Sequence, residues 1–160
     1  MLKKIISGGQ TGADQAGLFA GKFLGLDTGG TAPHGWITEM GESEELLRHF
    51  NLVEGDVDPS VFKKRTLANI LNSDATVVFG NIYSTGSKLT LKYCKDSNKP
   101  LITNPSPEEL SNFCRMYNVE VLNVAGNRES KNSGIGELTY NTLVEAFRVG
   151  NVPTLHYRLK

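Results

Sequence analysis

Seven consecutive residues near the start of the chain, Gly8-Gly9-Gln10-Thr11-Gly12-Ala13-Asp14, combine three glycines, a hydroxyl, an amide and a carboxylate. They follow the apolar run "KIIS" and precede helical spacing at Ala16, Phe19, Ala20, Phe23 and Leu24. Glycine is entropically costly to fix, so three in five positions imply a very tight turn or a backbone that something approaches closely. N–H groups at a helix start lack intrahelical partners and carry partial positive charge. With a neighbouring hydroxyl they suit the oxygens of a phosphate. Neither common phosphate motif is met. No lysine follows Gly12 as the P-loop requires, and Ser7 stands where G-x-G-x-x-G needs its first glycine. A competing reading is structural: Thr11 and Asp14 have the T-x-x-D spacing of a capping box, and the glycines simply make the turn.

Two later segments repeat the theme. "GNIYSTGSKLT" follows "ATVVF" at 75–79, and "AGNRESKNSGIGE" follows the strand at 119–126. Thr85, Gly86, Ser87 and Lys88 open one helix, while Arg128, Ser130 and Lys131 precede another. A cation near a helix N-terminus is unfavourable by about 0.3–1 kcal/mol. The placement makes sense if an anion lies between cation and helix, or if these side chains simply point into water. Trp36, in "APHGW", is a candidate for stacking on a flat ring and equally a rim or core residue. Lys63, Lys64 and Arg65 read first as a solvated helix face, the alternative being that Arg65 reaches the site edge. His34, His49 and His156 are scattered and assemble no nucleophilic or metal set.

The elements that must position these loops alternate between strand and helix. Strands are expected at 2–7, 26 onward, 75–79, 100–104 and 119–126, with helices at 12–25, from Asp58-Pro59 to about 73, at 86–97, from Ser106, and at 135–148. Ser106 with Glu109 matches a capping box. Residues 37–58 carry no clear pattern, and "VPTLHYRL" reads as an edge strand. Such alternation implies an α/β domain over residues 1–160, with a mainly parallel sheet of five or six strands flanked by helices. In that architecture all three glycine-bearing loops fall on the carboxyl edge of the sheet, where ligands bind.

With 160 residues, the chain is long enough to bury its own core. Seventeen basic residues balance seventeen acidic ones, which argues against nonspecific binding to nucleic acid or an anionic membrane. "MLKKIISGG" lacks the apolar core of a signal peptide, so a cytoplasmic location is expected. Cys94 and Cys114 have no metal or redox spacing and read as small buried hydrophobes.

"KIISGGQTGADQAGL", the pair Gly29-Gly30 followed by Trp36, "RTLANILNSDATVVF" with "TGSKLT", and "LNVAGNRESKNSGI" together resemble the molybdenum cofactor (Moco) carrier protein family over nearly the whole chain. That family is similar to a Rossmann-like superfamily that includes the Lonely Guy phosphoribohydrolases. The resemblance implies a Rossmann-like three-layer sandwich and a homo-oligomeric protein that holds molybdopterin-bound molybdenum for storage or transfer. It also implies Moco-dependent enzymes or insertases as partners. The ligand-binding residues would be Gly8, Gly9, Gln10, Thr11, Gly12, Asp14, Trp36, Thr85, Gly86, Ser87, Lys88, Arg128, Ser130 and Lys131, with no metal ligands and no catalytic residue. The chain departs from the family at Asn127 and Ser133, where proline is usual, and at Thr85-Gly86-Ser87, where G-G-T is usual. The phosphoribohydrolases carry G-G-x-G-T-x-x-E; aligned through Gly86 and Ser87, the glutamate falls on Thr90. Glycosidic cleavage generally needs a carboxyl group, so the expectation is a carrier rather than an enzyme. The alternatives are a nucleotide-binding sensor and a nucleoside-monophosphate phosphoribohydrolase-like enzyme, for which Asp14 is the substitute carboxylate.

Overall fold

Five consecutive buried residues, Ala75–Phe79, form the strand β6, fully covered as a central parallel strand must be. The structure, a computed structural model, describes residues 1–57 and 61–148. Its main sheet has six parallel strands: β1 (Lys4–Ile6), β2 (Asp27–Ala32), β5 (Leu52–Glu54), β6, β7 (Leu101–Thr103) and β8 (Val121–Gly126). Their order is β5-β2-β1-β8-β6-β7. The chain moves outward from β1 through β2 to β5, crosses to β6 and β7, and finally inserts β8 between β1 and β6. The strands that precede the three glycine-bearing loops, β1, β8 and β6, are therefore immediate neighbours.

The flanking helices are α1 (Ala13–Phe23), α2 (Glu44–His49), α3 (Val61–Leu71), α4 (Thr85–Asp96), α5 (Pro107–Met116) and α6 (Ile135–Phe147). Helices α1, α5 and α6 pack in a row, and α3 packs on α4. The resulting α/β Rossmann-like sandwich agrees with the fold expected from sequence. A main core joins Ile5, Val77, Phe79, Leu110, Leu122, Val124 and Leu143, and a smaller one joins Leu18, Trp36, Leu47, Phe50 and Leu52. Ser106 and Glu109 form the expected capping box, with Pro107 at the first helical position of α5. Cys94 and Cys114 are buried. Burial raises the Cys94 thiol and pushes that of Cys114 up to about 12.

The unpatterned stretch 37–58 resolves into a small antiparallel hairpin of β3 (Ile37–Thr38) and β4 (Gly41–Glu42), then α2, then β5. These elements are two to six residues long, too short to show periodicity. The Asp58-Pro59 helix start and the "VPTLHYRL" strand lie outside the described residues. Among the described residues no helix is long and apolar enough to cross a membrane.

One glycine in β2 sets how closely the first loop is held. Gly30 has φ of 132°, and a Cβ there would lie 2.0 Å from the carbonyl oxygen of Ser7. Its side-chain-free face is what lets β2 run against the start of the first loop. We expect Gly30→Ala to destabilise the protein by about 2 kcal/mol or more, because backbone rather than a flexible side chain must move. Gly86→Ala is the control. Nothing lies within 4 Å of its Cβ, and alanine in a helix gains up to about 1 kcal/mol over glycine. Urea unfolding midpoints of the two variants check the contrast.

Candidate functional site

At the first loop, the polypeptide's own carboxylates occupy the positions that an anionic ligand would seek. Asp14 is 8% exposed. Its carboxyl accepts the N–H of Gly8 and, at 3.3 Å, that of Gln10. Three more amides of the loop are also engaged. Gly9 donates to Ser7 Oγ at 3.3 Å, Thr11 to Gln10 Oε1 at 3.0 Å, and Ala13 to the carbonyl of Asn127 at 3.2 Å. Gly8 and Gly9 are buried, and a Cβ on Gly9 would meet Leu47 and Leu52 at about 3 Å. A phosphate reaching the amides of Gly8, Gly9, Gln10 or Thr11 would therefore have to replace internal bonds.

The T-x-x-D capping box does not form. Gly12, at φ 78°, is the N-cap of α1 and no side chain caps it. The positive φ angles of Gly9 and Gly12 carry Thr11 past the capping position and leave it free to work across loops. Asp14 reaches back to the loop instead. Burial raises its carboxyl to about 6, against the opposing effect of the Arg65 guanidinium and the two donated N–H groups. Arg65 donates from Nη1 to the Gly8 carbonyl at 3.0 Å, so it does reach the site edge from the basic run on α3.

The first and third loops are pressed together. A Cβ on Gly12 would lie 2.4 Å from the carbonyl oxygen of Asn127 and 2.7 Å from the nitrogen of Glu129. Only glycine permits this approach. Thr11 Oγ1 accepts the Glu129 N–H at 3.3 Å and donates to Glu39 Oε1. Glu39 lies at the tip of the β3–β4 hairpin, and its carboxylate also accepts the N–H of Ser130, at 3.2 Å, and the Ser130 hydroxyl. Those hydrogen bonds and the Arg128 charge hold its carboxyl below the usual glutamate range. Gln10 Oε1 accepts the backbone N–H of Glu39 at 2.9 Å, which fixes the hairpin to the first loop. A third carboxylate, Glu129, accepts the N–H groups of Gly134 at 2.6 Å and Gly136 at 3.0 Å. It thereby caps the start of α6.

The second loop joins through one side chain. Asn127 Oδ1 accepts the Asn81 N–H at 2.6 Å and the Asn132 side-chain N–H at 3.0 Å, while its Nδ2 donates to the Asn81 carbonyl and to Ser84 Oγ, both at 3.3 Å. Ser84 is the N-cap of α4 and accepts the Ser87 N–H. Thr85, Gly86 and Lys88 are exposed there, and Ser87 is buried. Thr90 is buried and donates back to the Gly86 carbonyl at 3.1 Å; it acts within the helix.

Of the residues expected at the site, Gln10, Thr11, Gly12, Asp14, Arg128 and Ser130 lie where the first and third loops meet, with Lys131 exposed beside them. Among the described residues, Thr85 to Lys88 are joined to this group through Ser84 and Asn127. Trp36 does not join it. It is 4% exposed within the smaller core, and Arg48 lies 4.9 Å over its ring. No face of that ring is left for a ligand in this conformation. Glu39, Glu129 and the bonding of Asn127 were not foreseen from sequence. A cavity of about 240 Å³ opens beside Arg65, lined also by Thr31, Gly55 and Lys64. Among the described residues no group of three or more His, Cys, Asp or Glu side chains is placed to hold a metal ion.

The edge therefore offers hydroxyls, cations and a helix start that suit an oxyanion, plus a buried carboxyl raised to about 6. The family model described as "Circularly permutated YpsA SLOG family" matches residues 5–147. No curated protein matches the chain. Among solved structures it is similar to a crystal structure of a "Putative molybdenum carrier protein" from Syntrophus aciditrophicus SB. Identity is 32%, the TM-score is 0.79, and the match covers 92% of this chain and 96% of that one.

The Asp14 environment has a pH signature. Its carboxyl titrates near 6 when folded, against an ordinary value of 3.8. Between these values the folded state binds more protons than the unfolded one, so this group's contribution to stability falls as pH rises through that window. Asp14→Asn removes the titration and adds only a pH-independent offset. Relative to this variant, the wild type should be most stable near about pH 4 and should lose that advantage as pH passes about 6. Urea midpoints measured in parallel across this range check it.

Proposed function

Because the chain belongs to the circularly permutated YpsA SLOG family, we propose that it is a carrier whose cargo is a small ring compound bearing a phosphate, with Moco as the foremost candidate. The observation that carries this reading is the meeting of the loops after β1 and β8. They turn two hydroxyls, from Thr11 and Ser130, an N–H from Ser130 and the charge of Arg128 toward one oxyanion-sized position. The name of the Syntrophus relative favours a molybdenum-containing cargo. The phosphate of molybdopterin is the group this donor set would hold, and Lys131 and Lys88 add positive charge along the same edge. In this reading the protein is a homo-oligomer of the cytoplasm, and it hands its cargo to Moco-dependent enzymes or insertases.

A second reading rests on Asp14. A carboxyl poised near pH 6 has the acidity of a general acid or base. A circular permutation keeps local motifs whole while moving their place in the chain. Chain order therefore does not decide which glycine loop corresponds to that of the phosphoribohydrolases, and "GGQTGAD" ends in the acidic residue that "TGSKLT" lacks. Under this reading the protein cleaves the glycosidic bond of a nucleoside monophosphate.

Anaerobic thermal-shift measurements with Moco released from a molybdoenzyme test the carrier reading. A cargo at 100 times its dissociation constant stabilises the native state by about 2.7 kcal/mol. Arg128→Ala should weaken that binding by about tenfold or more without unfolding the protein, since a charge-assisted contact contributes about 1.5–3 kcal/mol. Equal affinity would remove Arg128 from the site. Adenosine, guanosine and inosine monophosphates should release no free base over hours of incubation, as followed by chromatography. Release that disappears in Asp14→Asn would establish the second reading instead.

A further inference from the structure

Resting on the carrier reading, we infer that Glu39 is an internal stand-in for the cargo's phosphate, and that its hairpin is a strap the cargo must displace. The donors that meet on its carboxylate come from two different loops. Thr11 belongs to the loop after β1 and donates its hydroxyl; Ser130 belongs to the loop after β8 and donates both its hydroxyl and its N–H. Arg128 places its charge beside them. Two hydroxyls and an amide, with a guanidinium charge near them, suit a tetrahedral oxyanion, of which a planar carboxylate uses only part.

The strap has the build of an element that closes over this position. It consists of two two-residue strands, Ile37–Thr38 and Gly41–Glu42. Met40, next to Glu39 at the tip, is 80% exposed and Ile37 is 51% exposed, so little apolar burial holds the tip down. Apart from the Glu39 carboxylate, its bond to the site is the Glu39 N–H on Gln10 Oε1, at 2.9 Å. The base of the strap is anchored differently, by buried Trp36, whose carbonyl accepts the Ser43 N–H at 2.9 Å. A loosely held tip on an anchored base opens by pivoting rather than by unfolding. With the carboxylate in place, the positive edge is neutralised and the hydroxyls are satisfied. A phosphate monoester, carrying more charge than one carboxylate, would take the same donors and expel Glu39 into solvent.

The consequence is competition. A strap closed about nine-tenths of the time lowers the apparent affinity for an anion about tenfold. Isothermal titration of the full chain with inorganic phosphate and with glycerol 3-phosphate, at matched ionic strength, compares the wild type with Glu39→Gln. The variant should bind about tenfold more tightly, and Glu39→Gln/Ser130→Ala should lose the gain. Tighter binding of glycerol 3-phosphate than of phosphate assigns the position to a phosphoryl group carried on a larger molecule; the reverse assigns it to free phosphate. Equal or weaker binding by Glu39→Gln, or no binding by either protein, overturns the inference. Hydrogen exchange of the wild type gives a check that needs no variant. Saturating phosphate should speed exchange of the Glu39 amide, which is bonded to Gln10 across the gap, relative to sodium chloride, and unchanged or increased protection overturns the strap. These probes contain no pterin or molybdenum. Phosphate displacement without Moco binding would leave the strap standing and end the cofactor reading, whereas Moco binding with an immobile strap would do the opposite.

Discussion

Backbone N–H groups gathered at the carboxyl edge of a parallel sheet must find acceptors, and in this protein carboxylates supply many of them. Asp14 takes the amides of Gly8 and Gln10, Glu129 takes those at the start of α6, and Glu39 takes that of Ser130. Each acid fixes a loop that would otherwise have many conformations. Each also sets a local potential that a ligand has to meet or replace. The strand order makes this arrangement possible. With β8 inserted between β1 and β6, three loops distant in the chain become neighbours, and the glycines among them allow backbone to touch backbone.

The balance of charge follows from the same constraint. A chain with equal numbers of acidic and basic residues has no net field to attract an anion, so attraction must be local. Arg65 donates to the first loop and its charge acts on Asp14, while the charge of Arg128 acts on Glu39. The cations that look misplaced near helix starts when read in sequence are partly accounted for in this way. Arg128 has Glu39 for an anion, and α6 has Glu129.

Local signals were legible where they were complete in themselves. "ATVVF" could only be a covered strand, and Ser106-Pro107 with Glu109 could only begin a helix. The alternation of strands and helices led to the parallel sheet, and so to the edge on which the loops meet. What could not be read depends on pairing across the chain. Glu39 is 91 residues from Ser130 and 28 from Thr11, in a stretch whose elements are too short to have a period. Asn127 stood out only as a departure from family habit, yet its amide bonds hold two loops together. Trp36 carried no signal that would separate a stacking platform from a core residue; packing with Leu18, Leu47 and Phe50 decides it. The spacing of Thr11 and Asp14 fits a capping box, but two left-handed glycines shift the helix start by one residue and redirect both side chains.

The two cysteines bear on how such a protein would handle a soft metal. Thiolate, not thiol, is the form that captures metal ions and reacts with oxidants. Cys94 is 1% exposed and Cys114 is 6% exposed, and burial holds both thiols protonated well above neutral pH. The chain therefore presents no competing thiolate ligand of its own. On the proposed carrier reading, a cargo whose molybdenum is bound by dithiolene sulfur would keep its ligands during transit, and the protein would not be trapped in a mixed thiolate complex or a disulfide when that cargo leaves.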